Sequence, residues 1–173
     1  MIQHPIPALY DHESRVLILG SFPSPKSREA GFFYGHPQNR FWKVMAEVLQ
    51  WDGIAAGAAP AGGAYVPQTV EEKRLMLHSS HIAVWDTIAS CEITGASDAS
   101  ITDVTPNNLS VILNAADIRE IFCNGAKSWD LYMKYIYPLN GRRPVKLPST
   151  SPANAAWSVK RLTDAWNVIR EML

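Results

Sequence analysis

The chain has 173 residues and a formal net charge of zero, 16 basic side chains balancing 16 acidic ones. That balance argues against a nucleic-acid binder driven by overall electrostatics, although a local basic patch suffices where the rest of the surface is acidic. With 47% hydrophobic residues the chain can bury one substantial core, and a single domain over 1–173 is expected. No apolar run reaches the roughly 18–20 residues that span a membrane. The stretch from Met1 to Asp11 lacks the basic-then-apolar pattern of a secretory signal, so a cytoplasmic protein is expected. Cys91 and Cys123, far apart in sequence, cannot alone build a four-cysteine cluster or a cysteine-rich zinc site.

In chain order, Arg15 to Leu19 reads as a first buried strand, ending at the tight polar turn Gly20-Ser21-Phe22-Pro23-Ser24. A loop crowded with rings and hydrogen-bonding groups follows, from Phe32 to Trp42. Asn39 to Leu49 then has the apolar spacing of a helix, with Phe41, Val44, Met45 and Val48 on one face. Trp51 to Gln68, rich in Ala, Gly and Pro, reads as a flexible excursion. Thr69 and Glu72 have the spacing of a capping box for a helix through His78. Ile82 to Trp85 predicts a second strand ending at Asp86-Thr87.

Thr105-Pro106 has the form of a helix start, Thr as cap and Pro at the first helical position, with Leu109, Ile112 and Leu113 as its apolar face. Arg119 to Cys123 predicts a third strand, broken by Asn124-Gly125 and followed by a helix carrying Trp129, Met133 and Ile136. Pro144 to Leu147 predicts a fourth. After Pro148 to Pro152, a final helix carries Ala155, Val159, Leu162, Trp166 and Ile169. Strands alternating with amphipathic helices predict a three-layer α/β/α fold around a four-stranded parallel sheet. Ligands of such sheets bind beyond the strands' carboxyl ends. The chain places Gly20–Ser24, Asp86-Thr87, Asn124-Gly125 and Ser149–Pro152 at those four ends.

The loop around Tyr34-Gly35-His36-Pro37-Gln38-Asn39-Arg40-Phe41-Trp42 can sandwich a flat ring and read its edge, as an enzyme acting on an extruded base requires. Together with Gly20-Ser21-Phe22-Pro23-Ser24 and Ser149-Thr150-Ser151-Pro152, this string resembles the uracil-DNA glycosylase superfamily. It is most similar to the hypoxanthine-DNA (deoxyinosine) glycosylase branch, over nearly the whole chain from Arg15 onward. The resemblance implies a monofunctional DNA glycosylase that hydrolyses the N-glycosidic bond of a deaminated base in base excision repair. DNA would be its partner, base flipping its mode of access, and a monomer without cofactor, metal or membrane association its form. Two alternatives stand beside it: a uracil or broad-specificity mismatch glycosylase, and a non-catalytic nucleic-acid-binding module.

The resemblance also implies roles for particular residues. Phe22 stands where many uracil enzymes carry a water-orienting polar group, and Ser149 where many carry a His that stabilises the departing base. Asn39 then becomes the leading catalytic candidate, though Asn at that point also suits a helix cap. Asp86 is the second: a carboxylate beyond a strand can accept N1–H of hypoxanthine or orient water, or merely open a turn. Tyr34 occupies the position of a base-stacking aromatic, with Phe33 as its substitute. Phe22 and His36 complete the expected base pocket. Ser21, Ser24, Ser149, Ser151 and Asn154 are the expected phosphate contacts, Asn154 standing where relatives carry the wedge that fills the hole left by the flipped nucleotide. Lys26, Arg28, Arg40 and Lys43, and separately Arg142, Arg143 and Lys146, are candidate basic patches or ordinary solvated charges.

Overall fold

The computed structural model describes residues 1–58 and 62–173; 59–61, inside the excursion expected over 51–68, lie outside the described residues. The strands are β1 (Ile2–Gln3), β2 (Val16–Gly20), β3 (Ile82–Asp86), β4 (Ile88–Glu92), β5 (Thr102–Pro106), β6 (Glu120–Asn124) and β7 (Val145–Leu147). The helices are α1 (Pro25–Ala30), α2 (Phe41–Leu49), α3 (Val70–Ser79), α4 (Ser110–Leu113), α5 (Ala126–Tyr135), α6 (Tyr137–Asn140) and α7 (Val159–Trp166). Four strands in the order β3-β2-β6-β7 pair in parallel throughout, the predicted central sheet.

β2 is buried at every position, as a strand covered on both faces must be. Its alternate residues feed two cores. Val16 and Ile18 pack with Val84 and Phe122 against α2, α3 and α7, through Phe41, Met45, Leu77 and Trp166. Leu17 and Leu19 face the opposite way, toward Ile112 of α4 and Tyr132 of α5. The capping box on α3 forms at Thr69 Oγ1, which accepts Glu72 N–H at 3.1 Å. Glu72 reaches back one residue further than expected, to Gln68 N–H at 2.6 Å.

Three parts of the sequence reading are corrected. Thr105-Pro106 does not begin a helix; it ends strand β5 of a second, antiparallel sheet in the order β1-β4-β5. β5 lies at the edge of that sheet and its residues are largely exposed, so no apolar pattern announced it. Pro at the end of an edge strand forfeits no ladder hydrogen bond. The following helix starts only at Ser110, whose N–H bonds Asn108 Oδ1 at 3.1 Å. The last helix starts at Val159, capped by Ser158, leaving Ala155 in the preceding turns. Ile169 falls in the 3-10 segment Asn167–Met172 that extends it.

Candidate active site

The register pairs Gly20 with Asp86 and Asn124 with Leu147, so the carboxyl ends of all four parallel strands meet at one edge. A cavity of about 240 Å³ opens there, between the turn after β2, the aromatic loop, the turn after β7 and the connection between β4 and β5. Asp86, the last residue of β3, is buried, and its Oδ2 lies 2.7 Å from His4 Nε2. Its Oδ1 is pressed against Gly20: a Cβ placed there would stand 2.3 Å from that oxygen and 3.2 Å from the Tyr34 hydroxyl. The glycine that ends β2 is therefore required by a carboxylate 66 residues away, not by its backbone angles.

Asn39 sits just before α2 with its amide orientation fixed. Its Oδ1 accepts Phe41 N–H at 2.9 Å and the Thr150 hydroxyl at 2.9 Å. Thr150 is fully buried and in turn accepts from Asn124 Nδ2 at 3.0 Å, while its own N–H donates to Asn124 Oδ1 at 3.0 Å. With the oxygen committed twice, the Asn39 Nδ2 donors are left for the cavity that Asn39 lines. The N-cap position of α2 falls to Arg40 rather than Asn39, whose bond from Phe41 N–H is an Asx turn that fixes the amide. Arg40 holds the turn after β7 in place. Its guanidinium donates to the carbonyls of Ser151 at 2.7 Å, Asn154 at 2.9 Å and Trp157. It is a clamp rather than a solvated charge.

Known proteins resemble this chain over nearly its whole length. The model of the family described as "Uracil DNA glycosylase superfamily" matches residues 7–172. The chain belongs to the uracil DNA glycosylase superfamily. A protein of Methanosarcina acetivorans named hypoxanthine DNA glycosylase is 30% identical over 170 residues, covering 98% of both chains. A protein of the same name from Methanosarcina barkeri is 27% identical, covering 92% of both. The solution NMR structure of a candidate uracil DNA glycosylase from M. acetivorans superposes with a TM-score of 0.75 at 29% identity, covering 99% of both chains. The chain is a DNA glycosylase.

The glycosylase cavity gathers almost every residue singled out in the sequence. Asn39, Asp86, Phe22, Phe33, Tyr34 and His36 line it, as do Ser21, Ser24, Ser149 and Ser151. Tyr34 takes a left-handed backbone (φ 51°), which costs a non-glycine residue about 1–3 kcal/mol. Its ring stacks on Phe41 at 4.0 Å and its carbonyl accepts Trp42 Nε1–H at 3.2 Å, contacts that hold it there. One face of the Tyr34 ring is therefore occupied by protein. The Tyr34 hydroxyl is enclosed, and burial together with the negative charge of Asp86 pushes its pKa well upward. Phe33 is buried edge-on to Phe32, and Phe22 carries the Arg28 guanidinium over its ring at 5.7 Å. His36 Nδ1 accepts Gln38 N–H at 3.1 Å, which leaves Nε2 as the protonated nitrogen.

The serines are used locally. Ser24 Oγ caps α1 by accepting Ser27 N–H at 3.2 Å, and Ser21 Oγ donates to Asp98 at 3.1 Å. Ser149 and Ser151 accept N–H groups two residues on. Asn154 does not line the cavity. Its amide donates to Ser149 O at 3.0 Å and helps Arg40 fasten the turn. Arg143 and Lys146 lie over the Trp129 ring, and Arg142 bonds Ile118 O, so the second basic cluster is engaged with its own surface.

Sequence reading placed Asn124 and Thr150 at the strand ends without giving either a role, and it missed His4 and Asp98. His4 acts on the site through Asp86, 82 residues away, Asn124 through Thr150, 26 away, and Thr150 through Asn39, 111 away. Asp98 belongs to the β4–β5 connection that the misread Thr105-Pro106 concealed. Partial desolvation by the surrounding loops and the nearby Asp86 raise its pKa, although the side chain still reaches solvent.

Proposed function

We propose that this chain is a monofunctional glycosylase that excises hypoxanthine from deoxyinosine-containing DNA, as a step of base excision repair. The observation that carries the reading is the pairing of a fixed acceptor, Asp86 Oδ1, with a fixed donor, Asn39 Nδ2, on the walls of one cavity. Hypoxanthine presents an N1–H donor beside an O6 acceptor; adenine presents the reverse. A site built for the first edge leaves the second unpaired, a mismatch that discriminates by about 10⁴-fold or more. Uracil offers the same donor–acceptor pair, so the two side chains read deamination. The preference for the purine is supported by the names of the two Methanosarcina relatives and by Phe22 and Ser149, which supply neither a water-orienting carboxylate nor an imidazole for uracilate.

The extruded base lies in the cavity against Phe22, Phe33 and Tyr34. Asn39 donates to O6, so that charge developing on the departing base is stabilised by a donor that needs no reorientation. The carboxylate of Asp86 accepts N1–H, which adenine lacks. The Ser149 and Ser151 hydroxyls, which act only as acceptors among the described residues, and backbone N–H groups of the two turns hold the flanking phosphates.

The test uses matched oligonucleotides carrying one deoxyinosine, deoxyuridine or deoxyadenosine, incubated with protein and then cleaved with alkali at abasic sites. Scission at deoxyinosine alone, abolished in Asn39→Ala with DNA binding retained, is the expected result. Scission mainly at deoxyuridine makes uracil the substrate. Absence of scission from folded protein overturns the reading.

A further inference from the structure

The N-terminal arm reaches the site with one side chain. β1 pairs antiparallel with β4, matching Ile2 with Cys91 and Gln3 with Ser90, and adds nothing to the parallel sheet. His4 follows immediately. Its N–H donates to Ala89 O at 2.7 Å, and its side chain is 3% exposed beside an Asp86 side chain that is 6% exposed. The ring is packed edge-on against Phe22 at 5.8 Å and against Trp85 at 6.3 Å. Trp85 in turn ties the arm down by donating its indole N–H to Ile6 O at 3.3 Å.

The hydrogen bonds assign the tautomer. Ile6 N–H donates to His4 Nδ1 at 3.2 Å, so Nδ1 is the acceptor and carries no proton. The ring proton is therefore on Nε2 and is donated to Asp86 Oδ2 at 2.7 Å. One carboxylate oxygen is consumed by a neutral imidazole, and the carboxylate cannot turn about its own bond without losing that donor. The Asp86 backbone is held as well, its carbonyl accepting from Asn107 Nδ2 at 2.9 Å. Among the described residues this leaves Oδ1, beside Gly20 at the cavity wall, as the oxygen without a hydrogen-bond donor.

We propose that His4 is a positioning residue of the glycosylase: its Nε2–H locks the Asp86 carboxylate so that Oδ1 is presented to the extruded base. The proposal rests on the reading of Asp86 as the acceptor for that base. It makes the first residues of the chain part of the catalytic apparatus, although none of them lines the cavity. The usual order of an aspartate–histidine pair is reversed, the imidazole orienting and the carboxylate facing the substrate.

Single-turnover excision of deoxyinosine, measured over a range of enzyme concentrations, separates the maximal rate from half-saturation. His4→Ala is expected to lower the maximal rate by about 10- to 100-fold with half-saturation within about threefold of wild type. His4→Gln, whose amide N–H can take the place of Nε2–H, is expected to restore most of that loss. In an Asp86→Asn background, His4→Ala is expected to cost nothing further.

A wild-type rate for His4→Ala, a Gln variant no better than Ala, or an undiminished extra loss in the Asp86→Asn background would each overturn the proposal. If Asp86→Asn itself excises at the wild-type rate, the acceptor reading fails as well, so the two failures are told apart by that one variant. Long-range ¹⁵N–¹H correlation on the wild-type protein checks the premise without any substitution. A protonated Nδ1 and bare Nε2 on His4 would refute it.

Discussion

Gly20→Ala is the most searching substitution. Gly20 is not among the residues with positive φ, so alanine meets no backbone penalty, and on chain entropy alone it would stabilise by about 0.4–1 kcal/mol. The new methyl would nevertheless stand 2.3 Å from Asp86 Oδ1, where ordinary contact begins at 3.4 Å, so the carboxylate must retreat by about 1.1 Å. Retreat strains or breaks the 2.7 Å bond from His4, and the Tyr34 hydroxyl, 3.2 Å from the methyl, adds to the crowding. Crowding of this kind costs about 1–3 kcal/mol, which for a chain of this length lowers Tm by roughly 3–10 °C. An ångström of displacement at a reacting group costs about 100-fold in rate. Thermal unfolding and single-turnover excision of deoxyinosine check both numbers on one preparation. A Gly20→Ala protein with unchanged Tm and wild-type excision would show that Asp86 need not stand where it does, and would remove the basis for its role.

Thr150→Val deletes the hydroxyl that links Asn124 to Asn39 while keeping the volume. Loss of two buried hydrogen bonds is expected to lower Tm by roughly 3–6 °C and the excision rate by about 3- to 10-fold, with Thr150→Ser restoring both. A Val variant at wild-type rate would show that the Asn39 amide holds its orientation without the link. Burial pushes the Cys123 thiol up to about 12, and Cys91 is also raised by burial. At pH 7–8 both therefore remain thiols, and a thiolate-selective reagent is expected to label them only as fast as the protein opens, accelerating in denaturant. Fast stoichiometric labelling of the native protein would contradict the packing around β6.

The sequence by itself determined the frame. Leu17-Ile18-Leu19 and Ile121-Phe122-Cys123 are apolar throughout because their strands are covered on both faces, and a fully buried strand has no polar side to disguise it. Their carboxyl ends then located the cavity, since parallel strands must all open toward one edge. Asp86 was legible at the end of its strand, whereas Asn39, Phe22, Tyr34, Phe33 and His36 were singled out by the crowding of rings and amides in their loops and by the family resemblance those loops carry.

What tertiary structure decided is everything that depends on a partner distant in sequence. The short antiparallel sheet escaped because β1 and β5 are exposed edges, whose polar residues carry no periodic signal. The orientation of the Asn39 amide is set by Thr150, 111 residues on, and that of the Asp86 carboxylate by His4, 82 residues back. Arg40 looks like any surface cation until the carbonyls of Ser151, Asn154 and Trp157 close around it. A residue's identity fixes which hydrogen bonds it can make, but only the packed chain fixes which way they point, and for a site that tells a donor from an acceptor the direction is the chemistry.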